Sequence, residues 1–152
     1  MSTTHLDFVS QDHPVFSGDV AEVLAPGSDG QLAILPRHAP LITILSPGEV
    51  VVRCEGEEDL YFAVTGGWME VRPDSVTILA RTAERSDEID LQRAEAARAR
   101  AAELLSEAVR GEERSSLQLA LVRSQIRLTV ARRRSRRPVG TRPVEDFNTQ
   151  GE

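Results

Sequence analysis

Gly27-Ser28-Asp29-Gly30-Gln31-Leu32-Ala33-Ile34-Leu35-Pro36-Arg37-His38-Ala39-Pro40-Leu41 sets the character of the amino-terminal half. Two glycines three apart free the backbone to turn, the apolar run at 32–35 makes a short strand, and two prolines then stop it. Pro36 and Pro40 bracket Arg37, His38 and Ala39, so a cation and an imidazole are held out on a stiff connection that docks at little entropic cost. Such a loop suits a contact surface better than a catalytic cleft. On the residues alone, an ordinary strand-to-loop corner with a surface histidine is the simpler reading.

The same short-strand grammar continues on both sides. Leu6, Phe8 and Ser10, then Val50, Val52 and Cys54, then Leu60, Phe62 and Val64, then Val76, Ile78 and Ala80 recur at period two, punctuated by Gly, Pro and Asp. Half-buried strands at this spacing predict an all-β sandwich or flattened barrel of about ten short antiparallel strands, covering residues 1–84. After Ala83 the composition turns to Ala, Glu, Arg and Leu, with no glycine or proline between Ser86 and Arg110, which predicts a helix capped by Asp87 or Asp90. Gly111 interrupts it. Glu112 and Glu113 suit a second amino terminus, and Leu117, Leu121, Ile126 and Val130 continue an apolar stripe. The short joint makes residues 85–134 a two-helix antiparallel hairpin.

Its first helix offers mostly alanine as inward positions, namely Ala94, Ala97, Ala101 and Ala108, with Leu104 and Leu105 near the end. Alanine buries little area, so the pair gains modest stability from its own contacts. Either a movable element or a fixed second domain fits that reading. Residues 135–152 have no apolar periodicity and read as an Arg-rich, disordered tail.

Composition narrows the chemistry. The 152 residues are 40% hydrophobic and 28% charged, ordinary for a soluble globular chain, and no apolar run is long enough to span a bilayer or open a signal peptide. A single cysteine, Cys54, cannot form an internal disulfide and reads as a strand residue in a reducing compartment. All 18 basic residues are arginine, which removes both a Walker A lysine and a Schiff-base lysine. Residues 1–84 carry 13 acidic side chains against 4 arginines, net −9, whereas residues 112–152 carry 9 arginines against 5 acids, net +4. Two regions of opposite charge follow. No nucleophile elbow, metal-spaced His or Cys cluster or phosphate loop occurs, His5, His13 and His38 are scattered, and Glu55, Glu57, Glu58 and Asp59 read as a solvated hairpin tip. No catalytic or metal site is expected.

The run at 27–41 resembles the signature loop of the epsilon subunit of bacterial and chloroplast F-type ATP synthases, the small subunit at the foot of the rotor. That pattern is Gly-x-x-Gly-x-Leu-x-Ile/Val-x-Pro-x-His-Ala-Pro-Leu followed by Pro-Gly, supplied here by Pro47-Gly48. Two further blocks are similar to the family's: Phe62-Ala63-Val64-Thr65-Gly66-Gly67-Trp68-Met69-Glu70-Val71, and Val76-Thr77-Ile78-Leu79-Ala80 with Thr82-Ala83 behind it. With residues 6–18 they cover roughly the first 84 positions in order.

The resemblance implies a noncatalytic central-stalk subunit that couples proton-driven rotation to ATP synthesis and restrains hydrolysis through a movable hairpin. Implied partners are the gamma subunit, the ring of c subunits and the catalytic alpha and beta subunits. The place is the cytoplasmic face of the bacterial plasma membrane, held peripherally through the complex without lipid insertion. Gly30, Gln31, Pro36, Arg37, His38, Ala39 and Pro40 become the loop that touches the c-ring, with one sandwich face on gamma. Gln31 departs from the acidic residue many relatives carry. Arg132, Arg133 and Arg134 are implied to meet an acidic stretch of the beta subunit; nucleic acid is the rival partner for this cluster, disfavoured because no aromatic residue is interleaved for stacking.

Ile89-Asp90-Leu91-Gln92-Arg93-Ala94 is similar to the Ile/Leu-Asp-x-x-Arg-Ala motif of ATP-binding family members. By that resemblance Arg93, Arg100, Arg123 and Arg127 would hold triphosphate oxygens, and Asp90 or Glu84 would accept from the adenine amino group or a ribose hydroxyl. No cofactor is required, and ATP enters only as a regulatory ligand. An arginine-rich surface with intrahelical pairs such as Asp90 to Arg93 explains the same residues equally well. The alternative from another class is a free-standing ATP-sensing module of the same fold acting on some other partner.

Overall fold

The computed structural model describes residues 2–107 and 111–135. Eight strands come first: β1 (Thr4–Ser10), β2 (Pro14–Val20), β3 (Glu22–Gly27), β4 (Gly30–Ile34), β5 (Leu41–Arg53), β6 (Leu60–Val71), β7 (Ser75–Ala80) and β8 (Ala83–Arg85). Helices α1 (Leu91–Glu107) and α2 (Glu112–Ser135) follow. The strands hydrogen-bond in the order β2-β1-β7-β6-β5-β3-β4, with β8 on β6. All described pairs are antiparallel except β1 with β7, which is parallel.

The expected ten or so short strands are eight, because β5 and β6 are each long enough to serve twice. Their burial patterns show how. In β5, Leu45 is buried and then Val50 and Val52, so the inward parity changes from odd to even. In β6, Phe62 and Val64 are buried and then Met69 and Val71, the reverse change. The switches fall opposite one another, between the pairs Leu45↔Gly67 and Pro47↔Thr65. A strand that exchanges its faces partway belongs to one layer before the switch and to the other after it. Gly67 permits the change: its φ is +146°, and a Cβ there would meet the Leu79 carbonyl oxygen at 2.1 Å. Above the switch β6 pairs with β7, and below it with β8.

The core lies between the layers. Leu6, Phe8, Met69, Val71, Val76 and Ile78 come from one, and Val23, Ile34, Val50, Val52, Phe62 and Val64 from the other. Phe8 and Phe62 meet edge-to-face with centroids 5.1 Å apart, stitching the two layers together. Cys54 falls just beyond β5, half-buried against this core, and is not a strand residue.

Asp90 is the cap of α1: its Oδ1 accepts from the Arg93 amide at 3.1 Å, while its carbonyl accepts from the Ala94 amide at 3.0 Å. Asp87 is instead gripped by Arg85 through two hydrogen bonds of 2.7 and 2.5 Å. Inward on α1 are Ala94 and Ala101, seven apart, whereas Ala97 is exposed, contrary to the expected inward face. Ala97 lies on the same side of α1, about 60° round from Ala94, so the covered stripe is narrower than the face it spans. Ala108 and residues 136–152 lie outside the described residues. On α2 the buried set is Ser124, Leu128, Val130 and Ala131.

Candidate functional site

Two outer faces result from the parity switch, and they differ in kind. On the layer built from β1, β7 and the amino half of β5, cross-strand register aligns Val9, Leu79, Trp68 and Ile44 in one row. Ile42 stands two residues along. Ile42, Ile44, Trp68 and Leu79 are 51–69% exposed, a contiguous apolar strip of the kind that marks a protein contact. The sequence reading missed it because alternation analysis searches for inward residues. The available signal was apolar residues at both parities in 41–45 and 68–71.

The other outer face carries the hairpin. Glu49, Ala63 and Glu84 form one row across β5, β6 and β8. Ala63 packs in a cluster with Ile89, Ala94, Leu128, Val130 and Ala131, flanked by Tyr61 and Ile126. Arg127 donates from Nε to Glu84 Oε2 at 2.6 Å and from Nη2 to Oε1 at 3.2 Å. Arg133 donates to Glu49 at 3.1 and 2.9 Å, and its guanidinium carbon lies 5.3 Å from the centroid of the Tyr61 ring. The hydrogen bonds it donates to Glu49, helped by that carboxylate's charge, hold the Arg133 guanidinium above its ordinary pKa, so it stays charged throughout the physiological range.

Of the residues expected to meet ATP, the structure brings Glu84 and Arg127 together as an ion pair. Ile89 and Ala94 are buried in the cluster between the hairpin and the sandwich, and Asp90 is occupied in capping. The side chains of Arg93, Arg100 and Arg123 are exposed on the helices. A shallow cavity of about 180 Å³ lies between β5 and α2, lined by Glu49, Val122, Gln125, Ile126, Thr129 and Val130, none of them in the expected nucleotide set.

The expected contact loop is divided between the two ends of β4. Gly30, with φ +131°, and exposed Gln31 open β4 directly after the β3–β4 turn, whose Ser28 amide donates to the Ile44 carbonyl at 3.0 Å. Pro36, Arg37, His38, Ala39 and Pro40 lie roughly 13 Å away, one five-residue strand further on. There the Arg37 amide donates to the Pro73 carbonyl at 3.1 Å, with Arg37 at φ 64°. His38 does not project as expected: it is half-buried, and Nδ1 turns back to its neighbour's Ala39 carbonyl at 2.7 Å. Of the basic cluster, Arg132 is exposed, Arg133 is the clasp to Glu49, and the Arg134 side chain lies outside the described residues.

Among the described residues no group of His, Cys, Asp and Glu is placed to hold a metal, and no helix is long and apolar enough to cross a membrane. The molecule is thus a two-faced sandwich, bare and apolar on one side and carrying a clasped helical hairpin on the other.

Residues 3–86 match the family model described as ATP synthase, Delta/Epsilon chain, beta-sandwich domain. The chain is 42% identical over 137 residues to the ATP synthase epsilon chain of Alkalilimnicola ehrlichii, covering 90% of this chain and 98% of that one. It is 43% identical over 139 residues to that of Dehalococcoides mccartyi, covering 91% and 99%. Among solved structures, a chain of the Euglena gracilis mitochondrial ATP synthase, in an assembly of OSCP, F1 and c-ring, shares the fold with TM-score 0.75 at 24% identity, covering 85% of this chain and 81% of that one. The chain therefore belongs to the epsilon-chain family of F-type ATP synthases. Epsilon is a noncatalytic stalk subunit, the catalytic sites lying in other subunits.

Proposed function

We propose that this chain works in the central stalk, coupling proton-driven rotation to ATP synthesis, with the gamma subunit seated on the apolar row Ile44–Trp68–Leu79. That row carries the reading: it is exposed, aligned across three strands, and on the outer face the hairpin leaves uncovered. The β3–β4 turn, with Gly30 and Gln31 just after it, adjoins the row through Ser28 and Ile44 and faces the c-ring in this reading. The chain then sits peripherally at the cytoplasmic face of the bacterial plasma membrane, held there through the complex. The hairpin restrains hydrolysis by leaving its seat to reach the catalytic subunits through Arg132, Arg133 and Arg134, and ATP acts as a regulatory ligand only.

The test is reconstitution. Trp68→Glu with Ile44→Glu changes only outward side chains, so the variant keeps its fold and is lost from the purified complex. Retention at wild-type stoichiometry would remove the gamma assignment. Deleting residues 86–152 is expected to raise ATP hydrolysis with assembly intact, and unchanged hydrolysis contradicts the braking role. A stable monomer that ignores gamma and the c-ring favours the free-standing ATP-sensing module.

A further inference from the structure

We infer that the row Glu49–Ala63–Glu84 is a registering seat for α2, in which two carboxylates select one docked position of the helix and sequester the arginines that outside anions would otherwise engage. Glu49 and Glu84 flank Ala63 on adjacent strands, so their α-carbons are separated by two strand spacings, roughly 9.5 Å. Arg127 and Arg133 are six residues apart, a rise of about 9 Å along a helix. The two spacings match, and α2 crosses the strands with Arg127 at β8 and Arg133 at β5.

No other pair of arginines within α2 is separated by six. Sliding α2 by one turn toward either end brings Arg123 with Thr129, or Ala131 with Arg137, which lies outside the described residues, against the carboxylates. One glutamate then loses its partner in either slip. Within the apolar part of the seat, Ala63, Ala94 and Ala131 are small and offer little relief to interlock, while Ile89, Leu128 and Val130 supply its bulk. Charge at the rim therefore fixes what packing leaves loose, as paired charges do between coiled-coil helices. Tyr61 adds direction, since its ring accepts the Arg133 guanidinium on the β5 side.

The inference concerns this chain alone and stands apart from the stalk assignment. It is tested on the full-length protein by hydrogen exchange of the α2 amides, with the sandwich amides as internal control. Glu49→Gln and Arg133→Gln, singly, are each expected to speed exchange of residues 128–131 about fivefold, and the double variant no more than either alone. The swapped pair Glu49→Arg with Arg133→Glu restores most of the protection. Raising salt from 0.05 to about 1 M should loosen wild type and leave Glu49→Gln/Glu84→Gln unchanged. Additive effects of the singles, no rescue by the swap, or equal salt response in both proteins would overturn the registering role. Sandwich amides that also accelerate would mean the seat holds up the sandwich rather than positions the helix, which overturns it as well.

Discussion

Arg127 and Glu84 close on each other through two hydrogen bonds, 2.6 Å from Nε and 3.2 Å from Nη2, so two residues expected to receive a nucleotide are instead each other's counter-ions. The pair is partly exposed, with side chains 30% and 38% accessible, and screening keeps its worth to about 1 kcal/mol or less. Any triphosphate that reached Arg127 would have to displace Glu84. ATP added to the purified chain is therefore expected to compact the hairpin through exposed Arg93 and Arg123, and Arg93→Ala or Arg123→Ala to weaken that response. Scattering or a distance probe across the hairpin measures it, and compaction indifferent to both substitutions removes the nucleotide site.

The Phe8–Phe62 contact ties the two layers at the centre of the core, with both rings fully buried. Truncating either to alanine is expected to cost about 3–5 kcal/mol, and Phe62→Leu about 1–1.5 kcal/mol, from lost area plus the cavity left behind. Urea unfolding followed by Trp68 fluorescence reads both. Equal costs for leucine and alanine would mean that the ring edge contributes nothing.

Gly67 sits where β6 exchanges its faces. Alanine there needs an unfavourable φ and drives a methyl into the Leu79 carbonyl, so Gly67→Ala should cost more than about 2 kcal/mol. Gly56, also at positive φ, has open space around it, and alanine there should cost about 1 kcal/mol. A thermal melt that ranks the two equally would show that the switch point bends freely.

Much of this was legible in the chain and some was not, for identifiable reasons. The inward residues of β1 and β7 follow period two, a local property, and are buried where the spacing placed them, as are Phe62 and Val64 of β6, with Leu60 half-buried. The strand count was not local: Pro47-Gly48 and Gly66-Gly67 look like strand ends, yet hydrogen bonding carries β5 and β6 through them. Asp90 was readable as a cap because the bond it makes spans three residues. The seat for α2 was not readable, since Glu49, Ala63 and Glu84 become neighbours only once three strands are in register. Leu79 was assigned to a strand and Trp68 only to a stretch similar to the family's, and their common exposure depends on which face the hairpin takes.

His5 lies between Asp19 and Asp7 on the β1–β2 surface, with Nδ1 3.0 Å from Asp19. The hydrogen bond to Asp19 raises its pKa above the usual 6.5, partly opposed by desolvation and aided by the charge of Asp7. A raised folded value means that protonated His5 stabilises the fold fully below about 6.5, and that this contribution fades as pH rises through the folded pKa. The group is exposed, so the slope is shallow. His5→Gln should flatten stability against pH in the window just above 6.5, and Asp19→Asn should lower the His5 titration midpoint seen by NMR. A midpoint unmoved by Asp19→Asn would assign the shift elsewhere.

Asp90 separates a structural role from a ligand role. As the cap of α1 it accepts from the Arg93 amide, and Asp90→Ala should lose about 1 kcal/mol of hairpin stability. Serine keeps an oxygen at the capping position while removing the charge, so Asp90→Ser should recover most of the helix signal in circular dichroism. If the carboxylate also takes the adenine amino group or a ribose hydroxyl, Asp90→Ser restores the helix and leaves ATP binding impaired. Recovery of both by serine would confine Asp90 to capping, and loss of both would mean that the hydroxyl cannot replace the carboxylate even at the helix end.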